Sequence, residues 1–83
     1  MSLHDALVTV CNSHLTKLIG NQLLAESIIL MLDTDDKLFW YLGKEKKVNK
    51  LISSHISIDN IGTGDILKLK KDLEKQYNED SKK

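Results

Sequence analysis

The chain has 83 residues, the length of one small domain, and its twelve Lys balance twelve Asp and Glu for a formal net charge of zero. The single Cys excludes a disulfide framework and an all-cysteine zinc site. The longest apolar stretch, residues 23–32, is too short to span a bilayer, and the N-terminus lacks the pattern of a signal peptide. We therefore expect a reduced, cytoplasmic protein.

The first two segments between the glycines are predicted to be helices. Residues 3–19 follow Ser2, a good N-cap, and precede Gly20, which suits the position after a helix C-terminus. Residues 21–32 begin with Asn as a second N-cap and are apolar nearly all round, so we expect this helix to be buried at the centre. On the first helix, the predicted apolar stripe is Leu3, Leu7, Val10, His14 and Leu18.

The third segment carries most of the aromatic residues. Thr34 is a plausible N-cap, the acids after it suit a helix N-terminus, and Gly43 is expected to end a helix over residues 38–42. Consecutive helical positions differ by 100°, so the adjacent Phe39, Trp40 and Tyr41 cannot all face one core. Either a second layer covers Trp40 from behind, or Trp40 is exposed and serves as an anchor for a partner.

Two further helices are predicted over residues 44–57 and 65–78. The connection between them carries Ile58 and Ile61, and residues 79–83 are expected to form a frayed polar tail. We predict an all-α fold, a small bundle of four to five short helices in one domain over residues 1–78. The last helix has a narrow apolar stripe made of Ile66, Leu69, Leu73 and Tyr77.

The charge is divided along the chain. Residues 1–36 hold one Lys against five acids, whereas residues 37–83 hold eleven Lys against seven acids. These halves can attract each other within a monomer or between two copies. The use of Lys without Arg also indicates an AT-rich coding genome, such as that of a low-GC bacterium or a phage.

These features favour a small, non-enzymatic accessory or regulatory protein that binds another protein, or a second copy of itself as a homodimer. The predicted anchors are Phe39, Trp40 and Tyr41. The predicted self-association surface is Leu69, Leu73 and Tyr77.

DNA binding is the alternative. Residues 36–56 have the outline of a degenerate helix-turn-helix, in which the second helix would face the major groove. Bulky Phe39 stands where such a motif usually has a small residue, and the chain lacks Arg, the commonest base-reading side chain. The residues that would contact DNA are Lys46, Lys47, Asn49 and Lys50.

Signals for catalysis are weak. Cys11 and His14 are spaced so that both could reach one zinc ion with His55, but no spacing supplies a fourth ligand. No paired carboxylates, catalytic triad or phosphate-binding loop is visible in the sequence. We therefore predict no metal, no cofactor, no small-molecule substrate and no enzymatic activity.

Overall fold

A computed structural model describes residues 2–56 and 63–82 of the chain. These residues form five helices and no strand, which confirms the small all-α bundle. None of the described helices is both long and apolar enough to cross a bilayer. Ile58 and Ile61, expected to be apolar anchors, lie outside the described residues. The helices are α1 (Leu3–Ile19), α2 (Gln22–Met31), α3 (Asp35–Gly43), α4 (Glu45–His55) and α5 (Thr63–Ser81).

Local capping chemistry sets the starts of the first three helices. The side chains of Ser2, Asn21 and Thr34 each accept a hydrogen bond from the backbone N–H three residues later, as an N-cap requires. Gly20 ends α1 in the left-handed conformation with φ of 74°, and its N–H donates to the carbonyl of Thr16. The three predicted N-caps are confirmed, and α3 begins at Asp35, three residues before the predicted helix over residues 38–42.

The central helix is α1, not α2. Helix α1 packs against α2, α3 and α4, while α5 packs against α4. The expectation that α2 is central is wrong, because Leu23 and Leu30 of α2 point outward with 75% and 79% of their surface exposed. The buried stripe of α1 also differs from the prediction: it runs through Leu7, Cys11, Leu15 and Ile19.

Helix α5 is longer than the sequence predicted. It begins at Thr63 and continues to Ser81, so the predicted frayed tail from residue 79 is wrong. Asp80 explains the extension, because its carboxylate accepts hydrogen bonds from three side chains, among them Trp40 of α3 and Lys47 of α4. These contacts hold the last turn of α5 against the bundle.

Candidate functional site

Tyr41 lies in the core of the molecule, and Trp40 packs against that core. Tyr41 is fully buried, and its hydroxyl donates a hydrogen bond of 2.7 Å to Oδ1 of Asn49 on α4. Burial raises the pKa of Tyr41 well above its usual range, and the nearby Glu45 carboxylate raises it further. Tyr41, predicted to be an anchor for a partner, is therefore not accessible to one in this fold.

Helix α5 is the second layer that covers Trp40. The Trp40 and Tyr77 rings meet edge to face, with 5.5 Å between their centroids. The indole Nε1 of Trp40 donates to Oδ2 of Asp80 at 2.7 Å. Trp40 is half-buried with its one polar atom satisfied, so it is not the outward-facing anchor that the sequence suggested. Phe39 is the member of the triplet that stays accessible, with half of its surface exposed.

The predicted self-association surface on α5 also faces inward. Leu69 and Leu73 belong to the buried core, and Tyr77 packs on Trp40. A second copy of the chain could contact Leu69 and Leu73 only if α5 left the bundle. The prediction of a self-association surface at these residues is therefore not compatible with the packing of α5.

Asp80 is the polar centre of the contact between α5 and the bundle. Its side chain is only 9% exposed and forms an ion pair of 3.0 Å with Lys47. The hydrogen bond from Trp40, followed by those from Lys47 and Gln76, lowers the pKa of Asp80 to about 2. The carboxylate is therefore a structural element of the fold, and its charge is already satisfied within the chain.

The lysine-rich face of α4 is partly committed to internal contacts. Lys47 pairs with Asp80, and the side-chain oxygen of Asn49 accepts from the Tyr41 hydroxyl. Lys46 and Lys50 are exposed. Helices α3 and α4 are separated by the single residue Lys44, whereas a helix-turn-helix joins its helices by three or four residues. The geometry leaves DNA binding without a specific supporting observation.

Cys11 and the histidines do not converge on one point. Cys11 is fully buried and donates a long hydrogen bond to the backbone carbonyl of Leu38. Burial, and secondarily the charge of Glu45, raises the pKa of Cys11 to about 11, which disfavours the nucleophilic thiolate. His14 instead contacts Glu45, and His55 contacts Asp72. Within residues 2–56 and 63–82, no three metal-ligating side chains come together.

The sequence pattern did not predict the exposure of Leu23 and Leu30 on α2. Val8 of α1 and Ile29 and Leu30 of α2 line a continuous open groove between the two helices. Leu23 lies on the same outer stripe of α2 as Leu30, seven residues earlier. Val8 and Ile29 also pack against the core, so the groove floor is rigidly supported. We call the surface formed by Val8, Ile29 and Leu30 the α1–α2 groove, and Leu23 lies one turn of α2 before Glu26, next to this groove.

The rim of the α1–α2 groove is acidic. Asn12 and Glu26 lie at one end, and Asp5 and Asp33 lie at the other, so the two helices run antiparallel along it. Glu26 is exposed, and the Asp33 side chain is 64% exposed although it pairs with Lys37.

The one lysine of α1 and α2 is directed away from this groove. Lys17 is half a turn out of phase with Val8 and lines a different depression, between α1 and α4. The α1–α2 groove is therefore apolar at its floor and negative at its edges.

One signal in the sequence could have revealed the groove. A ten-residue helix that is apolar on all sides can be buried on all sides only if several neighbours surround it. Among the five helices of the described residues, α2 packs mainly on α1, so its outer leucines stay exposed in that part of the chain.

Comparison with protein families, with curated proteins and with solved structures finds no match to this chain. The function must therefore be argued from the geometry of the chain itself.

Proposed function

We propose that this chain is a small, non-enzymatic accessory or regulatory protein of the cytoplasm that acts by binding another protein through the α1–α2 groove. The observation that carries the proposal is the exposure of Leu23 and Leu30, each with about three quarters of its surface open to solvent. Exposed leucines that adjoin a groove are typical of interaction surfaces, whereas isolated ones are common on any protein.

The size of the apolar surface supports this reading. Full burial of one leucine side chain contributes about 1.5–3 kcal/mol relative to exposure. Because each leucine is about three quarters exposed, a partner that covered both would gain about 2–5 kcal/mol from them. That is a large share of the roughly 8 kcal/mol that corresponds to a micromolar complex.

Several features argue against catalysis and for a reduced compartment. The groove is open along its length and carries no nucleophile or paired catalytic carboxylates among its lining residues. The one thiol of the chain, that of Cys11, is buried in the core and engaged with a backbone carbonyl. A buried, neutral thiol is suited to a structural role.

The proposal is tested by comparing two leucine variants as bait. Leu30→Glu places a charge in the groove, and Leu67→Glu places the same charge on the outer side of α5, where Leu67 is 61% exposed. We expect proteins captured from a cell extract by the wild type to be lost with Leu30→Glu and retained with Leu67→Glu.

Both substitutions are at exposed positions, so each should change the free energy of unfolding by no more than about 0.5 kcal/mol. Urea denaturation of the two variants checks that the fold is intact. Identical sets of captured proteins for the wild type and for Leu30→Glu would contradict the proposed function.

A further inference from the structure

We propose that the occupant of the α1–α2 groove is an amphipathic helix of a partner protein whose apolar face is flanked by lysine or arginine. This inference rests on the proposed function and specifies the chemistry of the partner. It follows from the shape of the groove, its length and the charge of its rim.

The shape of the groove favours a helix as occupant. The floor is made of side chains from two antiparallel helices, and such a groove accepts the ridge of a third helix at an interaxial distance of about 8–10 Å. A peptide that bound by strand addition would need a sheet edge, and the described residues form no strand. A helix satisfies its own backbone hydrogen bonds and needs only apolar anchors.

The length of the groove sets the spacing of those anchors. Its lining on α1 extends from His4 to Asn12, which corresponds to about 12 Å at 1.5 Å per residue. Two turns of a bound helix cover this distance. We expect apolar residues at i, i+3 or i+4, and i+7 of the partner segment.

The negative charge of the groove rim favours basic residues on both sides of the apolar face of the bound helix. Asp5, Glu26 and Asp33 all border the groove, and His4 is the one basic side chain that lines it. Opposite charges across an interface speed association and reject partners of the same sign. Lys37 already pairs with Asp33, so a helix with acidic flanks would meet mainly the carboxylates of Asp5 and Glu26, whereas one with basic flanks would pair with them.

A second copy of this chain is the competing occupant. Residues 37–83 are basic overall, and exposed Leu67 is followed within four residues by three lysines. Such a contact would join two different surfaces of the same chain and would therefore propagate or close into a ring. It would compete directly for the same groove, so the experiment must distinguish the two.

The test is a selection from a display library of random helical peptides about 14 residues long, with the intact chain as target and Leu30→Glu as the counter-target. We expect enriched peptides that carry the predicted apolar spacing, have a net positive charge and do not bind Leu30→Glu. For an enriched peptide, the pair Asp5→Asn with Glu26→Gln should weaken binding roughly fivefold at low salt. The matched control Glu74→Gln, which removes an exposed acid from α5, should leave binding unchanged.

Each contrary result has a definite meaning. Enriched peptides that depend on Leu30 but show no excess of positive charge would overturn this inference and leave the proposed function standing. If the selection yields no peptide whose binding depends on Leu30, the inference of a helical occupant is overturned. The capture experiment with Leu30→Glu then still tests the proposed function. Self-association of the wild type in sedimentation velocity, abolished by Leu30→Glu, would assign the groove to a second copy and overturn the inference.

Discussion

At the scale of single residues, Asp80 joins three elements of the molecule. Its carboxylate accepts hydrogen bonds from Trp40 on α3, Lys47 on α4 and Gln76 on its own helix. Trp40 is thereby held beneath α5, where its ring also meets Tyr77. Asp80 therefore contributes, together with Tyr77, to the partial burial of the indole.

The charge of Asp80 predicts a pH dependence of stability. These hydrogen bonds hold its pKa at about 2, below the ordinary value of 3.8 that the unfolded chain retains. A depressed folded pKa stabilises the native state fully above about pH 4 and loses that effect as the pH falls toward 2. We expect Asp80→Asn to be less stable than the wild type at pH 6, with the difference vanishing near pH 2.

Urea denaturation followed by Trp40 fluorescence measures this difference directly, because Trp40 is the sole tryptophan. Glu79→Gln is the matched control, since Glu79 is the exposed neighbour of Asp80 on the same helix. A stability difference between the wild type and Asp80→Asn that stayed constant from pH 6 to pH 2 would contradict the assignment.

At the scale of elements, two glycines at helix ends play different roles. Gly20 has a positive φ of 74° and reverses the chain between α1 and α2. Gly43 was expected to end α3 in the same way, but it is the last residue of the helix, and its φ is not positive. Neither position has a neighbour that an added methyl group would meet.

Alanine substitutions at these two sites should therefore have opposite effects. Gly20→Ala forces a Cβ into the left-handed region and should lower the free energy of unfolding by about 1 kcal/mol. Gly43→Ala restricts the unfolded chain in a conformation that alanine tolerates and should raise it by about 0.5 kcal/mol. Chemical denaturation of the two variants beside the wild type is the measurement, and equal signs for the two changes would refute the distinction.

The sequence predicted the helices and their N-caps better than it predicted how the helices pack against one another. The caps at Ser2, Asn21 and Thr34 are visible in the sequence because each bond joins residues three positions apart. The inward side of α1 was not visible, because both Val10 and Cys11 adjoin the apolar stripe and only the positions of α2, α3 and α4 decide between them.

The candidate site was missed for a related reason. Three consecutive aromatic residues on a helix indicate that one ring faces away from the core. The triplet alone does not show whether another helix of the same chain or a partner protein packs on that ring. Asp80 lies forty residues after Trp40, at the end of a segment whose polarity suggested a frayed tail. The leucines of α2 suggested burial, and their exposure follows from the number of helices available to cover them.

At the scale of the whole molecule, the acidic first part of the chain is only slightly neutralised by the basic second part. In the part of the chain that the structure describes, Lys37 is the one lysine that pairs with an acid of residues 1–36, namely Asp33. Lys47 pairs with Asp80, within its own half. The negative rim of the α1–α2 groove is thus directed mainly at solvent, which is what a partner with basic flanks requires.

In the described residues, three further contacts between helices join a histidine to a carboxylate. His4 pairs with Asp35 across α1 and α3, at 2.6 Å. The other two pairs join α1 to α4 and α4 to α5, through His14 with Glu45 and His55 with Asp72. Every histidine of the chain therefore links two helices, in contacts that lie at or near the surface.

These three pairs are expected to orient the helices without supplying most of the stability. Exposed ion pairs contribute roughly 0–1 kcal/mol each, because water solvates the separated groups well. Truncating a fully buried leucine such as Leu15 removes about 2–5 kcal/mol, a large part of the 5–15 kcal/mol that holds a typical domain folded.

We therefore expect the triple variant His4→Gln, His14→Gln and His55→Gln to lose less free energy of unfolding at pH 7 than Leu15→Ala alone. Urea denaturation of both variants in the same buffer compares them, and circular dichroism confirms that each starts from a helical state. The pairs lie at separate helix contacts, so the losses of the three single variants should add to the loss of the triple variant. A triple variant as unstable as Leu15→Ala would mean that the three histidine pairs together contribute as much to stability as one fully buried core leucine, which would contradict the expectation.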